Sequence, residues 1–233
     1  VRGMRHCWKD EQADQAQQDV ERHQARLDAL VALQTDIEQK SALQPWLEKH
    51  GLQASTRLWQ MVQIERGWEN ALEAALLERT GALKIDDLTD AAALAGNAPP
   101  ARLAFFQLPA LPDARQPTPD GMQPLLERMR IQSAELRALL ADWLHGVYVC
   151  PDMDSAMAAR AHLPAGHQYV TKEGHLVGRY SIRYYAPDSE ASGMLARQQE
   201  IENVGRDLQA RKLIAETEVQ ALESAEQALK QVS

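Results

Sequence analysis

Four histidines, His145, His162, His167 and His175, fall within 31 residues of one another, a density that invites a metal centre. The spacing argues against one: no pair stands at i, i+4, and no cysteine or carboxylate completes a recurring ligand pattern, so no metal is expected. Two acidic clusters, Asp86-Asp87 with Thr89 and Asp152-Asp154 with Ser155, each precede a helical stretch. Such side chains accept hydrogen bonds from the unpaired N–H groups of a helix start, and N-capping is the expected role. No G-x-S-x-G or Cys/His signature marks a nucleophile, and no GxxxxGK[ST] loop is there to cradle phosphates. The chain is therefore expected to be neither an enzyme nor an ATP binder, and no cofactor is expected. The remaining chemistry is cationic. Lys172, Arg179 and Arg183, with Arg197 and Arg206, form the basic stretch of a chain whose formal charge is −8. Arginines of this kind could neutralise DNA phosphates while Tyr180, Tyr184 and Tyr185 stack on bases. With an acidic chain behind it, such contact is expected to be weak, micromolar and easily removed by salt.

These residues sit between two long helical arms. Positions spaced alternately three and four apart read Ile201, Val204, Leu208, Arg211, Ala215, Glu218, Leu222, Ala225, Leu229 and Val232, of which eight are apolar. Near the other end the same spacing gives Ala13, Ala16, Val20, His23, Leu27, Leu30, Gln34 and Ile37, of which six are apolar. A stripe repeating every 3.5 residues is too narrow for a globular core and suits a seam with one other helix. The arms are of nearly equal length, roughly 57 Å at 1.5 Å per residue, so the simplest partner for each is the other. The pattern predicts an intramolecular antiparallel coiled coil carrying an α/β (mixed α+β) domain.

That domain contains an internal repeat. The first copy runs from Leu58-Trp59-Gln60-Met61-Val62-Gln63-Ile64 through a helix over 71–77 to Gly81 and the strand 82–85. The second runs from Leu125-Leu126-Glu127-Arg128-Met129-Arg130-Ile131 through a helix over 138–144 to Gly146 and the strand 147–150. Each strand leads to an Asp-capped helix and a further strand, 102–106 in the first copy and 167–171 in the second. Two copies of one α/β unit imply two similar lobes packed together. Residues 99–124 hold seven of the eleven prolines, a restrained connection with little regular structure outside the strand. Pro45 ends the first arm. The expected division is an N-terminal arm over 1–44, lobe 1 over 46–110, a Pro-rich linker over 111–124, lobe 2 over 125–189 and a C-terminal arm over 190–233.

At this point the residues resemble a known family. Leu58-Trp59-Gln60-Met61-Val62-Gln63-Ile64 followed by Trp68-Glu69-Asn70-Ala71-Leu72-Glu73-Ala74-Ala75-Leu76 is similar to the first half of a hinge of the bacterial structural-maintenance-of-chromosomes (SMC) proteins. Tyr169-Val170-Thr171-Lys172-Glu173-Gly174-His175-Leu176-Val177-Gly178 resembles that family's VT-x-x-G-x-x-V-x-x-G strand pair, and 193–201 its re-entry into the returning arm. The sequence departs from the family at 179–186, where Arg179, Tyr180, Arg183 and Tyr184 stand in place of the usual glycines.

The resemblance implies a two-lobed hinge that homodimerises and links two long arms whose far ends carry ATPase heads. The parent would be a chromosome condensation and segregation ATPase, cytoplasmic and nucleoid-associated, with accessory subunits reached through parts absent here. Residues 176–185 alternate Leu176, Gly178, Tyr180, Ile182 and Tyr184 with Val177, Arg179, Ser181, Arg183 and Tyr185, the pattern of one strand at the edge of lobe 2. The first set is expected to pack and the second to meet partner or solvent. Gly178, Tyr180, Ile182 and Tyr184 are assigned to the dimer interface, and Lys172, Arg179, Arg183 and Arg197 to DNA contact.

Composition agrees. Hydrophobic residues make up 45% and aromatics only 5% of 233 residues, enough for one domain of about 140 residues plus exposed arms. No run approaches a membrane span and no charged-then-apolar leader is present, so a soluble, unexported chain without membrane contact is expected. Cys7 and Cys150 lie too far apart to bridge, which suits a reducing compartment. A chain that starts and stops inside heptads reads as a piece of something longer. The competing class is a coiled-coil-borne sensor or scaffold with a duplicated α/β ligand-binding domain. A polar pocket between the lobes would favour it, whereas a self-associating strand edge would favour the hinge.

Overall fold

The computed structural model describes residues 2–39, 42–110, 118–186 and 193–232, with the side chains of 2–10, 38–39, 226 and 228–232 left undescribed. The chain divides into two compact units, residues 1–36 with 199–233, and residues 37–198.

The first unit is built from two helices, α1 (Arg2–Gln39) and the part of α7 (Met194–Val232) from Gln199 onward. Val20, Leu208 and Ala215 form its buried cluster, with Ala16 and Leu27 packed on it. Asp19 pairs with Arg211 at 2.9 Å and Arg26 with Glu200, so numbers rise on one helix as they fall on the other and the pair is antiparallel. Every expected seam position whose side chain is described, on both helices, is buried or half-buried. Off the seam, Leu213 and Ile214 stand exposed. The burial follows the 3.5-residue pattern because two helices can bury only the stripe that faces the partner.

The second unit opens with α2 (Gln44–Lys49), where Pro45 sits in the first turn. Pro45 thus starts a new short helix beyond the arm, the position where a missing N–H costs nothing and φ is already helical. Trp46 and Leu47 of α2 bury against Leu83. A 3₁₀ turn at 58–60 leads to β1 (Gln63–Ile64), then α3 (Glu69–Leu76), a 3₁₀ turn at 77–81, β2 (Leu83–Lys84), α4 (Leu88–Ala93) and β3 (Phe105–Phe106). The second copy repeats this order: a 3₁₀ turn at 125–128, β4 (Met129–Arg130), α5 (Ala134–Trp143), β5 (Val147–Val149), α6 (Met153–Ala159) and β6 (Gln168–Val170). Lobe 2 then adds β7 (Leu176–Gly178) and β8 (Ile182–Arg183).

In each lobe the two central strands are parallel, β2 with β3 and β5 with β6, and each pair is joined across a helix, as parallel pairing requires. The repeat also pairs with itself: β1 and β4 run antiparallel with Gln63 opposite Arg130 and Ile64 opposite Met129. Equivalent segments paired antiparallel relate the lobes by a local two-fold, and one core spans both. Leu58, Trp59, Leu72 and Leu76 from lobe 1 pack with Leu125, Leu136, Leu140 and Val170 from lobe 2. The other face of the lobe 2 sheet, with Tyr148, Tyr169 and Val177, is closed by Ala156 and Leu163.

One expected element divides. Residues 176–185 form a hairpin of two short strands, Leu176 opposite Arg183 and Val177 opposite Ile182. The Gly178 amide donates to the Ser181 carbonyl at 2.9 Å and closes the turn. The turn resets the alternation, so Tyr180, Ile182 and Tyr184, expected to pack, are exposed, while Tyr185 is half-buried and Val177, expected to meet partner or solvent, is buried because the sheet is covered on that face too. Of the linker, residues 111–117 lie outside the described residues.

Candidate self-association surface

Lobe 2 carries a four-stranded sheet ordered β5-β6-β7-β8, which among the described residues leaves one side of β8 without a strand neighbour. Tyr180 is 89% exposed, Tyr184 70% and Ile182 43%, and these three line that margin. Large apolar groups beside an open strand edge form the type of surface that pairs with another strand. Among the described residues the lobe 1 sheet stops after β2 and β3, lacking counterparts of β7 and β8. Of the four residues assigned to a dimer interface, Tyr180, Ile182 and Tyr184 share the exposed margin, while Gly178 lies half-buried at the hairpin turn.

The cations are more dispersed than their sequence spacing suggests. An Nη2–H of Arg179 donates to the Leu163 carbonyl, and the Arg160 guanidinium donates to the Arg179 carbonyl. Arg183 sends Nη2 to the Ala74 carbonyl at the end of α3, 2.6 Å away. Lys172 Nζ stands 5.7 Å over the Trp68 ring, and the Arg128 guanidinium lies 5.4 Å from the same ring. Arg197 is half-buried in the first turn of α7 and Arg206 is exposed. Two of the four residues assigned to DNA thus have guanidinium donors turned to backbone carbonyls.

The acidic clusters cap helices as expected. The Thr89 amide donates to Asp87 at 2.8 Å and the Ser155 amide to Asp152 at 2.7 Å. These bonds to the ionised form hold both carboxyls below the usual carboxylate range. The histidines separate by role. His145 and His167 meet edge to face at 5.1 Å, and His167 Nδ1 lies 2.9 Å from the Tyr148 hydroxyl. Burial, then the neighbouring His145, pushes the His167 pKa down. His175 meets Tyr184 edge to face at 5.1 Å, and His162 is exposed. Cys150 is buried with a free thiol, which burial pushes up and so makes less reactive.

Sequence reasoning missed the carboxylate that ties lobe 1 to the returning chain. Glu73, on α3 and only 8% exposed, accepts from the Tyr185 hydroxyl at 2.7 Å and from the amides of Gly193 at 2.9 Å and Leu195 at 2.7 Å. It therefore caps the start of α7 from a distant point in the chain, where orphan N–H groups and the helix dipole favour an anion. The signal was a lone acid inside Ala71-Leu72-Glu73-Ala74-Ala75-Leu76. An acid amid five apolar residues on one helix is buried only if something bonds it.

Comparison with known proteins supplies the remaining observations. The family model described as SMC proteins Flexible Hinge Domain matches residues 53–160. The chain is 52% identical to the Chromosome partition protein Smc of Bordetella petrii over 95% of this chain and 19% of that protein. It is 46% identical to the protein of the same name from Burkholderia pseudomallei, again over 95% and 19%. The chain thus spans about a fifth of the length of these relatives. Among solved structures, the asymmetric dimer of the Geobacillus stearothermophilus SMC hinge domain superposes with a TM-score of 0.77, at 19% identity, covering 98% of each chain. At that identity the superposition establishes the fold, a mixed α/β hinge domain.

Proposed function

Because this chain belongs to the SMC family and carries its flexible hinge domain, we propose that it works by joining to a second copy of itself, linking two long arms. The observation that carries this reading is the open β8 edge with Tyr180, Ile182 and Tyr184 exposed beside it. The lobe 1 sheet supports it, since among the described residues β3 pairs with β2 alone. Two lobes of one chain that each lack a strand neighbour can satisfy each other across a two-fold axis, which closes the assembly at a dimer. The related solved structure is itself described as a dimer.

On this reading the lobes at 46–110 and 125–189 form the joint, with arms at 1–44 and 190–233. The parent is a chromosome partition protein with ATPase heads and accessory subunits beyond this chain, acting in the cytoplasm at the nucleoid. No described helix is long and apolar enough to cross a membrane. Sedimentation equilibrium of the full chain over a wide concentration range is expected to show a dimer. A single monomeric species at tens of micromolar would overturn the reading.

DNA contact through Lys172, Arg179, Arg183 and Arg197 is a secondary part of the proposal. With Arg179 and Arg183 partly engaged by backbone, binding should be weak and lost as salt rises. A low-salt gel-shift titration with single- and double-stranded DNA measures it, and no retardation would remove this part.

A further inference from the structure

Leu77 is the only residue other than glycine, among those described, with a positive φ: φ is 53° and ψ −130°. A Cβ strongly disfavours that region. The side chain is nevertheless large, apolar and 49% exposed.

The repeat shows how the same connection is made without strain. Between α5 and β5 the positive φ, 74°, falls on Gly146. In lobe 1 the equivalent glycine, Gly81, is not among the positive-φ residues, and the turn falls on Leu77, the first residue of a longer connection. Glycine would relieve the backbone here, and half of the leucine side chain lies in water.

Its location gives the reason. The Leu77 amide still bonds the Glu73 carbonyl, so Leu77 stands one turn beyond Glu73 and three residues past Ala74, whose carbonyl holds Arg183 of β8. Leu77 thus lies within about one helical turn of the carbonyl that receives the Arg183 guanidinium from the edge strand. On β8, Arg183 shares a face with Leu176 in the core between the lobes, and Ile182 shares the opposite face with Val177. A strand added along β8 sends alternate side chains to each face. One set meets Ile182, and the other descends toward the end of α3.

We infer that Leu77 is a docking residue for a second copy of this chain, packing against the side chains that the partner's added strand sends to the Arg183 face. The second copy is the occupant because Leu77 follows by three residues the carbonyl that anchors the edge strand the partner extends. The inference rests on the self-association reading above.

Leu77→Gly in the full chain tests it, with wild type measured alongside. Sedimentation equilibrium is expected to show the dimer dissociation constant raised about tenfold or more, as for a central apolar anchor. Thermal unfolding below that constant is expected to show an unchanged or higher melting temperature, because the strain is gone. A docking residue gives this opposed pair, whereas a residue that only holds the fold together loses both. Leu77→Asn, which keeps a side chain but removes its apolar surface, is expected to weaken the dimer in the same way. If both variants dimerise like wild type, the inference fails and the self-association reading stands. A variant that weakens the dimer only by melting earlier also overturns it. A monomeric wild type overturns both.

Discussion

Glu73→Ala is expected to lower the melting temperature by roughly 6–12 °C. The carboxylate satisfies three donors at 2.7, 2.9 and 2.7 Å in a site only 8% exposed. Removing it leaves the Tyr185 hydroxyl and the Gly193 and Leu195 amides without that partner, a loss of about 3 kcal/mol when charge-assisted bonds are broken and donors remain desolvated. For a chain of this size each kcal/mol moves the midpoint by roughly 2–4 °C. Glu73→Gln should recover only part of the loss, because its NH₂ faces N–H donors where an oxygen is needed. Hydrogen exchange at the Leu195 amide reports the site directly, and its protection should fall in both variants. An alanine variant that melts with wild type and keeps Leu195 protected would show that the carboxylate does not hold the start of α7.

The second large effect is at Gly174, the glycine of the strand-pair motif. Its φ is +91°, and a Cβ there would lie 2.7 Å from the Asn70 carbonyl oxygen and 2.8 Å from Tyr185 Cγ. The first is backbone within α3 and the second belongs to a side chain bonded to Glu73, so neither moves without loosening the junction of the lobes. Gly174→Ala is expected to cost about 3–4 kcal/mol, at the upper end of single substitutions, and soluble yield should fall with it. Gly166→Ala is the control. Its φ is +79° with nothing within 4 Å, so only the backbone penalty of about 1–2 kcal/mol applies. Chemical denaturation of the two variants separates the effects. Equal losses would mean that the close approach at Gly174 is not what requires glycine.

Much of the fold was legible because its patterns are periodic or repeated. The arm seam follows from spacing alone, since burial on a paired helix depends only on which stripe faces the partner. The two lobes were legible because one pattern occurs twice, and the caps at Asp87 and Asp152 because capping is decided within three residues. The hairpin at 176–185 was misread as one strand because alternation persists across it. A two-residue period cannot reveal a turn closed by the Gly178 to Ser181 hydrogen bond.

The candidate site was less legible. Tyr180, Ile182 and Tyr184 could be named from the alternation, but that they are exposed, beside a strand at the end of a four-stranded sheet, is a matter of topology. Arg179 and Arg183 read as a basic patch because sequence reports charge without direction. The Leu163 and Ala74 carbonyls that receive them lie 16 and 109 residues away.

The amino-acid sequence by itself determined which segments are helical arms, that the middle is duplicated, and which family the chain resembles. Those properties are written in local spacing and in order along the chain. Tertiary structure decided that Glu73 caps a helix beginning more than a hundred residues later, that Leu77 takes the strain its repeat mate avoids, and that β8 is left at an edge. Each depends on which distant groups come within a few ångströms, and close packing settles that through contacts for which one-dimensional order carries no signal.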